Sequence, residues 1–441
     1  MLMEKKKVSI VRYEKPLESV RRAADLCNGL ENLRPKSKVF IKPNIVFWTR
    51  KIAFPKWGVI TTSRVVHDMV LLLKERGVDD ITIGEGSVLY DPKDRETAAH
   101  SHETLGYNVL NKRYGVKVVD VFTRPFEKVD LGDGVELNFN TDILHSDFVV
   151  NVPVLKTHTQ CVVSLGVKNL KGTIDVNSRK KCHSADPDKN LPFWVSKLSD
   201  KLPGGFTLLD GIYTNERGPS FDGKIRRSNI LVGSADTLSA DKVGANILGY
   251  DLSEVPYLAR IATERGRPLD LSDVEVIGES IQDVGMKLQY SFAYNEEGTL
   301  PVPMDKMGIK GLAYPKYDLT ICTYCSGLTG VIITAIAMAW EGEPWDNVEV
   351  LTGKLMKPTP GRKTVLVGKC LYEANKKHPD IDKMWVIKTC PPSPEAVVNA
   401  LHETGVKIEP QILMNVDMAP GLFMRKYEGK SEFDESFFRV E

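Results

Sequence analysis

The chain has 441 residues, 42% of them apolar and 27% charged, with 59 basic against 58 acidic side chains. One hydrophobic core stops growing near about 250–300 residues, so two main domains are expected. The near-cancelling charge removes any global argument for binding nucleic acid or an anionic membrane, and the longest apolar run, 331–340, falls far short of the roughly 20 residues that cross a bilayer.

The charged stretch from Met1 to Lys7 leads straight into the strand-like Val8-Ser9-Ile10-Val11, leaving no room for the apolar core of a signal peptide. Seven cysteines, an odd number, argue for free thiols and metal ligands in a reducing compartment rather than for a disulfide framework. A cytoplasmic protein is expected.

The first half alternates short β-branched runs with amphipathic ones, the pattern of a mostly parallel sheet with crossover helices, an α/β class. Strands are expected at 8–11, 39–45, 81–83, 148–154, 207–209, 229–232 and 274–277, and helices at 17–33, 63–76, 96–110, 191–201 and 238–248. Residues 129–139, with Asp133-Gly134 at their centre, read as a β-hairpin. This first domain is expected to span 1–290. From 291 to 315 the periodicity fades into Gly, Pro and charge, a linker. Alternation then resumes in a smaller α/β domain, 316–412. Its strands are expected to end at Ile321 and to lie at 348–351, 364–367 and 384–387, with helices at 329–340, 371–377 and 394–403. Residues 413–441 form a weakly patterned tail.

The cysteines of the second domain each follow a strand candidate: Cys322 and Cys325 after Leu319-Thr320-Ile321, Cys370 after Val365-Leu366-Val367-Gly368, and Cys390 after Trp385-Val386-Ile387. The carboxyl ends of parallel strands form the crevice where ligands bind. Four sulfurs converging there are the ligand set of one 4Fe-4S cluster. Ser393 and Pro394 open the next helix, and a helix N-terminus favours an anionic cluster. The alternative is a structural zinc ion on the same four thiolates, although zinc modules usually bring two close Cys pairs and only one pair is close here.

A second informative stretch comprises Asn151-Val-Pro-Val-Leu-Lys156-Thr-His158, then Lys168-Asn169-Leu170-Lys171-Gly172, then Cys182-His183. With Lys42 and Asn44 of Ile41-Lys42-Pro43-Asn44, the lysines Lys156, Lys168 and Lys171 can converge on a crevice that holds a small anion, a carboxylate or phosphate. His158, His183 and Asp210, the last of these in Asp210-Gly211 after a strand, are candidate acid or base groups. Lysines are more often solvated, and a lone histidine is more often structural. Gly84-Glu85-Gly86-Ser87 offers only a short turn that could cradle phosphate, and His100 and His102 are expected to be exposed.

Cys322-Thr-Tyr-Cys325-Ser, Gly368-Lys-Cys370 and Cys390-Pro-Pro-Ser-Pro-Glu-Ala resemble the flavodoxin-like iron-sulfur small subunits of hydrogenases and quinone reductases, over about a hundred residues. Thr389 stands where those subunits carry Gly. Residues from about 8 to 280 resemble the domain of unknown function family 362 through Lys42 to Asn44, Asn151 to His158, Lys168 to Gly172 with His183, Asp210 to Pro219, and Asp236 with Ala240-Asp241. That resemblance implies an iron-sulfur centre as a common companion, though not the ferredoxin-like Cys run, which this chain lacks. The leading expectation is a redox enzyme or electron-transfer component of anaerobic metabolism, working with a small anionic molecule and a redox partner protein. Self-association stays open. The alternatives are a non-redox lyase, racemase or isomerase with a structural cluster, and an iron-sulfur scaffold.

Overall fold

The computed structural model describes residues 4–87 and 94–440. The chain divides into two compact units. The first comprises Met1–Cys182, Pro192–Ser291 and Phe423–Glu441, and the second comprises His183–Leu191 and Phe292–Leu422.

Among its described residues, the first unit is built on a ten-stranded sheet. Its strands are β1 (Lys6–Arg12), β2 (Val39–Pro43), β3 (Ile81–Glu85), β4 (Lys117–Asp120), β7 (Phe148–Val152), β8 (Val154–His158), β9 (Val162–Ser164), β10 (Gly205–Glu216), β11 (Lys224–Ser234) and β12 (Val274–Gly278), while β5 (Phe126–Asp130) and β6 (Glu136–Asn140) form the separate hairpin expected around Asp133-Gly134. The order is β12-β1-β11-β10-β7-β2-β3-β4, with β8 beside β10 and β9 beside β8. Pairing is parallel from β10 through β4 and antiparallel on both sides of β11. The centre reads as mostly apolar sequence, with Lys42 and Asn151 the polar exceptions, because it is covered on both faces: all five residues of β2 and all five of β7 are buried.

Helix ends follow local chemistry. The helix expected at 17–33 stops at Leu26, where Asn28 turns to a positive φ. The one expected at 96–110 breaks into Glu96–Thr104 and Tyr107–Tyr114 at Gly106, whose φ is 76°. His102, expected to be exposed, is buried and stacks on Tyr107 with ring centroids 6.1 Å apart. The weakly patterned tail is divided between the units, and its last part, from Phe423, belongs to the first. There Tyr427, Phe437 and Phe438 join the core with Trp57 and Tyr213.

The second unit has a four-stranded parallel sheet, β13 (Leu312–Ala313), β14 (Val348–Leu351), β15 (Lys363–Val367) and β16 (Trp385–Ile387), in that order. Strand order therefore follows the chain, whereas a flavodoxin-like sheet crosses back over its first strand. The strand expected to end at Ile321 lies earlier, at Leu312–Ala313, because Asp318 accepts the Thr320 N–H at 2.6 Å and closes a turn there. Part of the expected linker is ordered structure of this unit, including the helix Val302–Lys306 and β13 itself. Among the described residues, no helix is long and apolar enough to cross a membrane.

Candidate functional site

In the second unit, the thiols sit where helices begin. Cys322 immediately precedes the helix Thr323–Met338 and Cys325 lies in its first turn; Cys370 lies in the first turn of Lys369–Asn375. Cys390 follows β16, three residues before Ser393, whose hydroxyl accepts the Ala396 N–H at 3.4 Å as the helix Pro394–Thr404 starts with Pro394. Parallel strands deliver all three loops to one edge of the sheet, and the four cysteines line a single pocket. Gly368 has a φ of 105°, and a Cβ there would stand 3.2 Å from the Cys325 sulfur, so both the backbone and the space at this point suit glycine. Cys370 and Cys390 are exposed, while Cys322 and Cys325 are half-buried.

The sulfurs are close enough to act on one another. The Cys325 thiol is pushed far above the usual thiol range by its hydrogen bond with Cys322, then by burial and by the charges of Cys322, Cys390 and Cys370. Among the described residues, no three His, Cys, Asp or Glu side chains are grouped at the spacing of one bound metal ion. Beside them, the Tyr314 hydroxyl is fully buried next to the Thr329 side chain and lies within the electrostatic reach of Cys325.

In the first unit, the residues singled out from the sequence meet at the carboxyl ends of β2, β3 and β7. The register pairs Lys42 with Asn151. Lys42 Nζ forms an ion pair with Glu85 Oε2 at 2.7 Å and donates to the Pro43 carbonyl at 2.7 Å. Glu85 also accepts the N–H groups of Ile45 at 2.9 Å and Gly86 at 2.8 Å. Lys156 Nζ donates to Asn44 Oδ1 at 2.7 Å, Val59 O at 2.8 Å and Pro219 O at 3.0 Å. Asn169 donates to the Lys42 carbonyl at 3.2 Å and Asn151 Oδ1 at 2.8 Å, and accepts from Asn44 at 3.2 Å.

This geometry revises the roles read from the sequence. Lys42 and Lys156, expected to grip an anion, are buried with their donors committed to protein acceptors, and Asn44 links Lys156 to Asn169. Asp210, expected to move protons, receives the Thr62 N–H at 2.7 Å and the Ile212 N–H at 3.1 Å, so it caps the helix Ser63–Glu75 from a neighbouring strand. Burial raises its carboxyl to about 6. His158 is buried, and its Nδ1 accepts the Gln160 N–H at 3.0 Å in a local turn. His183 belongs to the second unit, where its backbone carbonyl accepts from Lys354 and its Nδ1 lies 3.4 Å from the Leu319 carbonyl oxygen. Asp241 clamps the start of the helix Gly166–Asn169 by accepting the Gly166 and Val167 N–H groups at 2.6 and 2.9 Å.

Lys168 and Lys171 act electrostatically on one another here, together with Arg179, which the sequence reading passed over. Burial lowers both lysines. Lys171 falls to about 8, with the Cys182 thiol opposing the fall and the charges of Lys168 and Arg179 adding to it. Arg179 lies 4.6 Å over the Phe122 ring, donates from Nε to the Ile174 carbonyl at 3.2 Å, and approaches Gly86 so closely that a Cβ there would stand 2.6 Å from its Nη2. Nothing in residue spacing identifies Arg179 or Glu85, because each reaches the cluster from a separate element.

Two comparisons with known proteins cover part of the chain. It is 27% identical over 262 residues to the Thylakoid-associated protein sll1697 of Synechocystis sp., a match that takes in 58% of this chain and 78% of that protein. The lactate racemase apoprotein from Thermoanaerobacterium thermosaccharolyticum aligns with a TM-score of 0.33 at 16% identity, over 57% of this chain and 58% of the racemase's length. Residues 39–246, which carry the Lys42, Asn151, Lys156 and Lys168 segments, match the family model described as Domain of unknown function (DUF362).

Proposed function

We propose that the second unit binds one 4Fe-4S cluster through Cys322, Cys325, Cys370 and Cys390, and that the protein is a cytoplasmic redox component working with a small anionic molecule held in the first unit. The observation that carries the reading is one pocket lined by four cysteines from three loops of a parallel sheet. Zinc modules usually bring two close Cys pairs, whereas here only Cys322 and Cys325 are close in the chain and the other two thiols come singly from separate loops. Ionising Cys325 beside Cys322, Cys390 and Cys370 is unfavourable without cationic metal between them, and the helices starting at Thr323, Lys369 and Pro394 direct their positive ends to the same edge. When bound, such a cluster supplies one-electron transfer.

The chain's own residues do the rest. Two half-buried cysteines anchor the inner side, and two exposed ones leave the outer side open to a partner's electrons. In the first unit, Lys168, Lys171 and Arg179 hold the anion, a carboxylate or phosphate, while Lys42, Glu85, Lys156, Asn44 and Asp210 fix the framework around it. A full set of four sulfur ligands leaves no open metal position for Lewis-acid chemistry, which disfavours a lyase or racemase reading centred on the cluster.

Anaerobic purification followed by iron, sulfide and zinc analysis tests the proposal, together with electron paramagnetic resonance after dithionite reduction. Iron and sulfide in equal amounts, about four of each per chain, are expected. One zinc and no sulfide would refute it.

A further inference from the structure

The rim of the cysteine pocket carries a second kind of information. Its two outer cysteines are exposed, and Lys369, next to Cys370, and Lys388, two residues before Cys390, are exposed lysines. Lys354 lines the pocket itself. Two large apolar side chains, Leu319 at 38% and Leu355 at 52% exposure, stand next to the lining residues Thr320 and Lys354. The one carboxylate of this stretch, Asp318, is occupied in accepting the N–H groups of Thr320 at 2.6 Å and Leu355 at 3.0 Å. The surface around the outer sulfurs therefore combines exposed lysines, with Glu373 ion-paired to Lys376 and within electrostatic reach of Lys369, and exposed leucine.

A small inorganic reductant needs neither feature. Apolar side chains held in water beside a functional pocket suit a protein partner, and a rim in which lysines outnumber carboxylates steers a partner of opposite charge. We infer that this rim is the docking surface for a small acidic electron-carrier protein, which lays a negative face over Lys369 and Lys388 and buries Leu319 and Leu355 while one electron passes to or from the cluster. The inference rests on the proposed cluster and names its partner. The carrier gives up the electron that the cluster gains, or the reverse, and no bond is made or broken.

The test uses the full holoprotein and a reduced, strongly acidic ferredoxin as the probe, with transfer followed by stopped-flow absorbance at rising salt. The wild-type rate should fall steeply with ionic strength. Lys388→Glu and Leu355→Asp lie outside the pocket lining, so iron content and reduction by dithionite should match wild type, while the low-salt rate with the acidic carrier drops by about tenfold or more. Unchanged rates in both variants, with iron and sulfide intact, would overturn the docking surface alone. Absence of iron from the wild-type protein would overturn the cluster first and this surface with it. A rate that rises with salt would likewise remove the basic rim as the steering element.

Discussion

Lys42 and Glu85 form an ion pair 2.7 Å long in which both side chains are withdrawn from water, one at the end of β2 and the other at the end of the adjacent β3. Burial by itself lowers the Lys42 ammonium, and Glu85 is what raises it again. Removing one partner strands the other charge, which typically costs about 3–5 kcal/mol. Glu85→Ala is therefore expected to destabilise the first unit by about that amount in urea unfolding. The pH dependence follows. In the variant, folded Lys42 holds its proton less well than unfolded Lys42, so the folded state binds fewer protons and the deficit shrinks as pH rises toward the ordinary lysine value of 10.5. A deficit that grows with pH would contradict the assignment. If Lys42 were instead an anion ligand, the variant would bind phosphate more tightly.

Much of this framework is legible in the sequence, because burial on both faces writes β2, β7 and the core of β10 as mostly apolar runs, broken only by the polar residues of the cluster such as Lys42, Asn151 and Asp210. The thiol set is legible for the same reason: each cysteine group comes just after an apolar strand or the turn that replaces one. What spacing cannot show is where a long polar side chain ends. Lys42, Lys156 and Lys168 look alike in sequence, yet Lys42 finds Glu85, Lys156 finds three carbonyl-type acceptors, and Lys168 has no hydrogen bond or ion pair among the described residues. The strand expected to end at Ile321 was misplaced because a single Asp318 turn outweighed a weak apolar triplet.

Lys171 sets the expected pH profile of anion binding. Its ammonium titrates near 8 in the free protein, lowered by burial and by the charges of Lys168 and Arg179. Only the protonated form attracts an anion. Affinity should therefore hold below pH 8 and fall above it, by up to about tenfold per pH unit until the bound form also deprotonates. Thermal-shift titrations with phosphate and with small carboxylates between pH 7 and 9.5 measure this. Lys171→Arg should flatten the profile, since a guanidinium stays charged throughout. The same steep loss in the arginine variant would move the titrating group elsewhere.

The C-terminal segment is expected to be indispensable to the first unit. Tyr213 meets Phe433 and Phe437 at centroid distances of 6.1 and 5.8 Å, and Trp57 donates its indole N–H to the Asp434 carbonyl at 3.2 Å. Phe438 is 1% exposed in this cluster. Phe438→Ala should cost about 3–5 kcal/mol, from lost apolar burial and the cavity left behind. Chemical denaturation followed by the fluorescence of Trp57, which neighbours the segment, provides the measurement. An effect below about 1 kcal/mol would mean that the segment merely rests on the surface.

Tyr314 gives the cysteine pocket its sharpest test. The Tyr314 hydroxyl is buried beside the Thr329 side chain and within the electrostatic reach of Cys325. A cluster sulfur in the pocket would give its proton an acceptor. Hydrogen bonds to cluster sulfurs stabilise the more negative, reduced state and so raise the reduction potential. Tyr314→Phe keeps the ring and removes only the donor, so the variant should fold, retain its iron and sulfide, and show a more negative potential in a redox titration monitored by electron paramagnetic resonance. Deuterium exchange supplies an independent reading. A weakly coupled exchangeable proton should appear in the pulsed resonance spectrum of the wild type and be missing from the variant. Identical potentials and identical proton couplings would show that the Tyr314 hydroxyl takes no part in holding the cluster's charge.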